Sequence, residues 1–412
     1  MPPALIVGDD PVTGLGVARN LGRVGVAVHR LGAVREPRLC SRYIRTQSVV
    51  PGLDEAGDDG YLRALETVSM RIGSPAVLLP ITDLHVLRLS RLEETLTGRF
   101  RMTTPSFASA ETLVNKRHFY EAAAALGVRH PATRFPETLD DFERAAEMIG
   151  YPVYLKPEIS PLFHRAFHKK GFVARDREEL RAHAAMVVAS GLRVMLQEII
   201  PGDATQMHGC AGYRRGSETV WICYRRAREY PAGFGCGSML ESCESFVHQT
   251  RLLELLASLG YRGLFDAEFK LDPRSGEYCL IEINARSWWQ NLLPTRSGIN
   301  LIDVAYREAA GSAAPMPAQR YEVGVKWIHG YNDFHAAREE GLGLVRWLRS
   351  ISGRGDFAFF APDDPMPAAV QISGLAWGRL RSLAGFRPAH ASAASTASPP
   401  APAQHPAQQT RS

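Results

Sequence analysis

A chain of 412 residues exceeds what one hydrophobic core usually organises, so two or three domains are expected. An apolar fraction of 45% and a charged fraction of 22% exclude a wholly disordered or collagen-like chain. The net charge of +5 comes from scattered arginines and not from Lys/Arg blocks, which points to a solvated surface and away from nucleic-acid binding.

The chain opens on an apolar run at residues 4–7 ending at Gly8, which reads as a strand and not as a basic leader. A helical signal follows at residues 15–25, a second strand at 26–31, a helical stretch at 59–72 and a third strand at 76–80. This βαβαβ rhythm implies a small parallel sheet ending near residue 105. A helix is expected over residues 110–126, with Ser109 as N-cap and Gly127 as stop. Next come a strand at 153–156 between Pro152 and Pro157, a helix at 177–190, and a strand at 193–200 running into the turn Pro201-Gly202-Asp203. A β run at 219–225, a helix at 247–259 and a hairpin at 264–284 follow. Residues 321–372 carry mixed signals, and from about Pro388 the Ala/Ser/Pro/Gln-rich sequence predicts a disordered tail. No segment has the apolar length a membrane span needs. The six cysteines (Cys40, Cys210, Cys223, Cys236, Cys243, Cys279) form no C-x-x-C, so they read as free thiols of a reducing, cytoplasmic compartment.

The hairpin is the most informative segment. Phe265, Ala267, Phe269 and Leu271 alternate with polar residues in its first strand, and Cys279, Ile281 and Ile283 do so in its second. Both apolar sets must face one core, which fixes the register and predicts Ala267 opposite Ile281. Asp266, Glu268, Lys270, Glu282 and Asn284 then share the other face, with Glu268 and Glu282 diagonal neighbours on the order of 7–8 Å apart. Oxygen ligands of this kind suit Mg²⁺. A polar outer face is also the default of any half-buried hairpin, but three crowded carboxylates repel unless a cation offsets them.

Glu268, then Glu282-Ile283-Asn284 followed by Ala285-Arg286, resemble the metal-binding signature of the ATP-grasp superfamily. The resemblance implies that Glu268, Glu282 and Asn284 hold magnesium (two ions, with Mn²⁺ as a substitute) and that Arg286 contacts the transferred phosphoryl group. The strand Tyr151-Pro152-Val153-Tyr154-Leu155-Lys156-Pro157 resembles the one whose lysine reaches the ATP phosphates, and Lys116 after Asn115 resembles a second such lysine. Arg286 and Lys156 are thereby the catalytic pair. Residues Leu196-Gln197-Glu198-Ile199-Ile200-Pro201-Gly202-Asp203 resemble the adenine hinge. There Gln197, Glu198 and Ile200 would meet the base, with Asp203 in the ribose position because Thr205 and Gln206 occupy the usual spot, and Lys270 near the nucleotide. The lid after Lys156 lacks the usual glycines; His164, Arg165, Lys169 and Lys170 would supply charge instead.

The resemblance implies an α/β protein (α+β ATP-grasp): a small N-terminal parallel-sheet domain, then an ATP-grasp domain of two α+β subdomains clasping ATP. The implied division is 1–105, a Rossmann-like domain; 106–192, the first subdomain with the lid; 193–315, the second with the metal site; 316–386, an α/β extension; and 387–412, the tail. Closest is the carboxylate–amine ligase group, D-aspartate ligase-like, whose substrates are ATP, a small carboxylate and an amine. No nucleic acid or membrane partner is expected, and a homodimer is the commonest soluble assembly. A regulatory nucleotide-binding module and a kinase with a hydroxyl acceptor are the alternatives. Gly8-Asp9-Asp10-Pro11-Val12-Thr13-Gly14-Leu15-Gly16 is not G-x-G-x-x-G, and two aspartates sit badly beside a pyrophosphate, so it reads as a loop facing substrate. Trp288 and Trp289 serve core or pocket equally well. Cys236 reads as a thiol in a Gly-rich turn, and Asp83 either touches substrate or is merely solvated.

Overall fold

The structure, a computed structural model, describes residues 1–383 except 160–162, 164, 165, 247, 248 and 313. His164 and Arg165 of the expected lid, the start of the 247–259 helix and the tail from Pro388 lie outside the described residues. Met1–Val370 form one compact unit and Gln371–Ser412 another.

Strands β1 (Ala4–Val7), β2 (Val28–Gly32), β3 (Ile44–Val49), β4 (Val77–Pro80) and β5 (Arg101–Met102) make a parallel sheet in the order β3-β2-β1-β4-β5. The βαβαβ expectation holds, with two additions. Strand β3 escaped the sequence because it is a mostly polar edge, and β5 because it has only two residues. The first helix runs Pro11–Gly22, four residues ahead of its expected start. Proline is at home at N1, and Asp10 caps the helix by accepting from Val12 N and Thr13 N at 2.9 and 3.0 Å.

Strands β6 (Thr133–Arg134), β7 (Val153–Pro157), β8 (Phe172–Ala174) and β9 (Val194–Glu198) form an antiparallel sheet ordered β6-β9-β7-β8. Strands β10 (Met207–Arg215), β11 (Glu218–Tyr230), β12 (Cys236–Cys243), β13 (Gly263–Asp272), β14 (Glu277–Asn284), β15 (Lys326–Ile328) and β16 (Gly355–Phe357) form the large sheet, ordered β14-β13-β10-β11-β12-β15-β16. The ambiguous stretch after residue 321 thus completes the large sheet's far edge. Leu15 and Leu21 of the first helix share one buried core with Ile222 and Leu240 of that sheet. Its other side packs on Leu252, Leu255 and Leu256 of the helix Gln249–Ser258.

The helix expected over 110–126 is two helices, Phe107–Val114 capped by Ser106 and Lys116–Ala125 capped by Asn115. The Asn115 side chain accepts from Arg117 N and His118 N, which restarts the chain at a new angle. Ser109 is no cap; its hydroxyl donates to Leu259 O at 2.8 Å.

Two buried polar joints fasten the first helix. Asn291 donates to Thr13 O at 3.1 Å, and Asn20 donates to Asn291 Oδ1 at 3.1 Å. Gly16 admits this approach, since a Cβ there would lie 2.1 Å from Asn291 Oδ1. Arg19, fully buried, donates through Nε to Asp364 Oδ2 at 3.0 Å and through Nη2 to Phe359 O at 2.7 Å. Asp364 also accepts from Ser41 Oγ and Arg42 N. Asp364→Ala leaves the Arg19 charge buried and unpaired, and chemical denaturation is expected to show a loss of about 3–5 kcal/mol.

Candidate active site

The hairpin β13–β14 forms as expected, but its register holds a surprise. Glu268 stands directly opposite Glu282, and Ala267 faces Ile283, not Ile281. The pairing then shifts to Phe269 opposite Leu280, so Ile281 is the extra residue of a β-bulge. Leu280 is fully buried while Ile281 lines the cavity. The bulge puts Leu280 in the core and Ile281 on the cavity side, so the expectation that Cys279, Ile281 and Ile283 share the core face fails at Ile281, and the expected diagonal is a direct pair.

The cavity above this face has a volume of about 930 Å³. Lys116, Lys156, Gln197, Glu198, Ile200, Asp203, Glu268, Lys270, Glu282, Asn284 and Arg286, the whole set singled out from sequence, line it. Asp266 does not: it is buried, and accepts from Tyr224 Oη at 2.6 Å.

Lys116 Nζ donates to Glu282 Oε2 at 3.0 Å, with Lys156 Nζ 4.0 Å from the same oxygen. The Lys116 ammonium holds the Glu282 carboxyl well below the usual carboxylate range. On the facing strand, burial pushes Glu268 up although Arg226 donates to it at 3.1 Å, and burial raises Asp266 to about 8. Two facing carboxylates therefore sit in opposite electrostatic surroundings. Arg286 donates to Asp83 Oδ1 at 2.7 Å and to Asn284 Oδ1 at 3.3 Å. Asp83, on the first turn of the helix Asp83–Arg91 after β4, thus reaches the cavity from the first domain.

At the hinge, several expected groups are engaged by the protein itself. Gln197 is buried and donates to Thr133 Oγ1 at 2.9 Å. The Glu198 carboxylate accepts from Ala132 N at 3.0 Å and from Arg274, while Glu198 N donates to Ala132 O. Lys270 donates to Gly202 O at 2.9 Å, tying the hairpin to the hinge turn. Asp203 caps the 3-10 turn Ala204–Gln206 and accepts from Thr205 N at 2.8 Å; those Thr205 bonds lower its pKa.

Sequence reasoning missed part of the cavity's lining. Tyr154 and Phe234, both in that lining, stack at 4.5 Å, and Lys170 donates to Phe234 O and Cys236 Sγ, each at 3.2 Å. In the glycine-poor segment after Lys156, Phe163 and Phe167 pack with Phe172 of β8 within 5.5 Å of one another, centroid to centroid, in the core of the small sheet. Arg226, Glu229, Glu339 and Glu340 also line the cavity. The last two come from the stretch after residue 321, which gave no sequence signal for this site.

The tryptophan pair divides its duties. Trp288 is core, whereas Trp289 is half-buried, donates to Asp10 Oδ2 at 2.7 Å and stacks on His329. The segment Gly8–Gly16, expected to be a loop, is one only as far as Asp10, because the helix begins at Pro11, and Asp10 ties that helix start to Trp289. His329 Nδ1 accepts from Asn332 N at 3.3 Å, and burial lowers its pKa from 6.5 to about 4. Unfolded chain takes up this proton first, so its contribution is complete above about pH 6.5 and is lost as pH falls towards 4. A shift of this size corresponds to about 3 kcal/mol. Denaturation curves across this window are expected to fall steeply for the wild type and less steeply for His329→Gln.

Comparisons with known proteins agree with this geometry. Residues 239–316 match the family model of the carbamoyl-phosphate synthase L chain, ATP binding domain. D-aspartate ligase from Enterococcus faecium (strain Aus0004) is 26% identical over 270 residues, covering 61% of this chain and 63% of that protein, somewhat less than two thirds of its length. An L-amino acid ligase from Bacillus licheniformis superposes with a TM-score of 0.58 at 16% identity, over 75% of this chain and 74% of that one. The biotin carboxylase domain of Hydrogenobacter thermophilus 2-oxoglutarate carboxylase, in complex with MgADP, ADP and bicarbonate, gives 0.61 at 15% identity, over 79% and 74%. The fold is that of the ATP-grasp proteins. The match over residues 239–316 and the likeness to D-aspartate ligase point in the same direction.

Proposed function

We propose that this chain is an ATP- and Mg²⁺-dependent ligase that joins a small carboxylate to an amine through an acyl phosphate. The observation that carries the reading is the gathering of Glu268, Glu282, Asn284, Lys116, Lys156 and Arg286 on one cavity wall opposite the hinge at residues 197–200. The division at residues 105, 192, 315 and 386 is part of the same proposal, as is a cytoplasmic setting for the free thiols.

The donor set fits the metal. Among the described residues no three His, Cys, Asp or Glu side chains form a closed cage. Two carboxylates and an amide leave positions for water and phosphate oxygens, which is how Mg²⁺ is usually held. Glu268, Glu282 and Asn284 would hold it, as two ions with Mn²⁺ able to replace them, and when bound it supplies neutralisation of phosphate charge. Backbone groups at Glu198 and Ile200 grip the base, and Asp203 lies towards the ribose. Lys116 and Lys156 orient the phosphate chain, so that Lys116 gives up part of its hold on Glu282. Arg286 stabilises the charge that develops on the transferred phosphoryl oxygens. Tyr154 and Phe234, which line the cavity, limit the access of water to the acyl phosphate. Catalysis here is positioning and electrostatics.

The test is release of ADP and phosphate with Mg²⁺ across pooled carboxylates and amines, expected only when both substrate classes are present. Turnover needing a hydroxyl compound instead of an amine, or none across the panel despite ATP binding, overturns the ligase. Glu282→Ala is expected to lose at least about 100-fold in turnover, with thermal unfolding little changed; undiminished turnover would sink the metal assignment.

A further inference from the structure

We infer that Asp83 is the residue that receives the amine: it binds the acceptor's ammonium group and takes its proton once Arg286 turns from it to phosphate. The inference rests on the ligase reading above and assigns the second substrate's anchor within it.

The order of groups along the hairpin carries the argument. Its turn end is tied to the hinge, through Lys270 to Gly202 O and Arg274 to Glu198. Lys270 and the row of Asp266 and Asn284 are four residues apart on β13, about 13 Å at strand spacing. Arg286 lies beyond that row, and Asp83 beyond Arg286, in contact with it. A nucleotide with its base at the hinge therefore points its transferred end at Arg286, and Asp83 is the next group past it.

Charge supplies the second step. Asp83 accepts from both Nε and Nη2 of Arg286, at 2.7 and 3.4 Å, and its side chain keeps 28% exposure in the cavity. Arg286 spends Nε and Nη2 on Asp83, Nη2 also on Asn284 and Nη1 on Ser287 O, which leaves one N–H, so a phosphoryl group that takes two must draw one from these partners. When phosphate draws Arg286 away, Asp83 is left facing the cavity as an uncompensated carboxylate, and Asp10 adds to the negative field on that side. A cation restores the balance; a hydroxyl or a water does not. Among the other acids on the wall, Glu198 is held by Arg274, Glu229 by Arg226 and Asp203 by Thr205, while Glu339 and Glu340 also line the cavity, on the helix Gly330–Glu339 and just after it.

The chemistry follows. A primary amine arrives as R–NH₃⁺ and must lose a proton before it attacks. Asp83 accepts that proton; the nitrogen lone pair forms the C–N bond at the acyl carbon. The bond from that carbon to the phosphate oxygen breaks, and inorganic phosphate leaves with its electron pair. The amide nitrogen's remaining excess proton goes to the departing phosphate.

Hydroxylamine, uncharged at neutral pH, separates the two halves, because it traps an acyl phosphate without presenting an ammonium. With pooled amino acids and D-aspartate as both carboxylates and amines, Asp83→Asn is expected to lose about 100-fold in amide formation, the low end for a positioned general base. Hydroxamate formation is expected to fall far less, and Asp83→Glu to recover part of the amide rate. ATP binding by each variant keeps a folding failure apart from a chemical one. Equal losses in both readouts would mean that Asp83 acts only through Arg286, and no loss in either would give it no role; both overturn the assignment. Wild-type protein that binds ATP yet yields neither product would remove the ligase reading itself.

Discussion

Two carboxylates placed face to face on neighbouring strands govern this molecule. Glu268 opposite Glu282 is a like-charge cross-strand pair, which a hairpin left to itself avoids. The protein tolerates it because cations arrive from separate elements: Lys116 from a restarted helix, Lys156 from β7 and Arg226 from β11. Each element must be correctly seated for the hairpin to be stable. One cause, buried negative charge, thus draws a positive surround together from three parts of the chain.

Much of this was legible in sequence because it is local. Alternation at 265–271 and 279–283 exposes the acidic face, and the Lys-Pro strand and the Gln-Glu run at 197–198 are contiguous blocks. The rest depends on relations that a linear pattern does not hold. The bulge at Ile281 breaks the alternation, sending Leu280 to the core in place of Ile281 and changing the facing partner. Asn115 breaks a helix whose apolar period runs through the break, and only its side-chain bonds to Arg117 N and His118 N reveal the restart. The pairing of Asp83 with Arg286 joins residues 203 apart, and nothing near either announces the other. The mixed signals after residue 321 belong to short edge strands, whose residues make sense only beside β12.

The first domain is held by polar joints that fix where its helices point. Arg19 grips the carbonyls of Ala358 and Phe359 as well as Asp364, and Asn291 threads between Thr13, Ser287 and Trp288. Directional bonds of this kind, satisfied on all sides and shielded from water, set angle as well as distance. Gly16, part of a run that invites a dinucleotide reading, leaves room for the Asn291 side chain against the first helix.

The stacked rings of Tyr154 and Phe234 join β7 of the small antiparallel sheet to the segment that leads into β12 of the large one. Lys170 adds bonds to the Phe234 carbonyl and the Cys236 thiol on that same segment. The two sheets are therefore stapled by side chains as well as by the backbone that connects them, and the width of the space between β7 and that segment is set by the thickness of two aromatic rings.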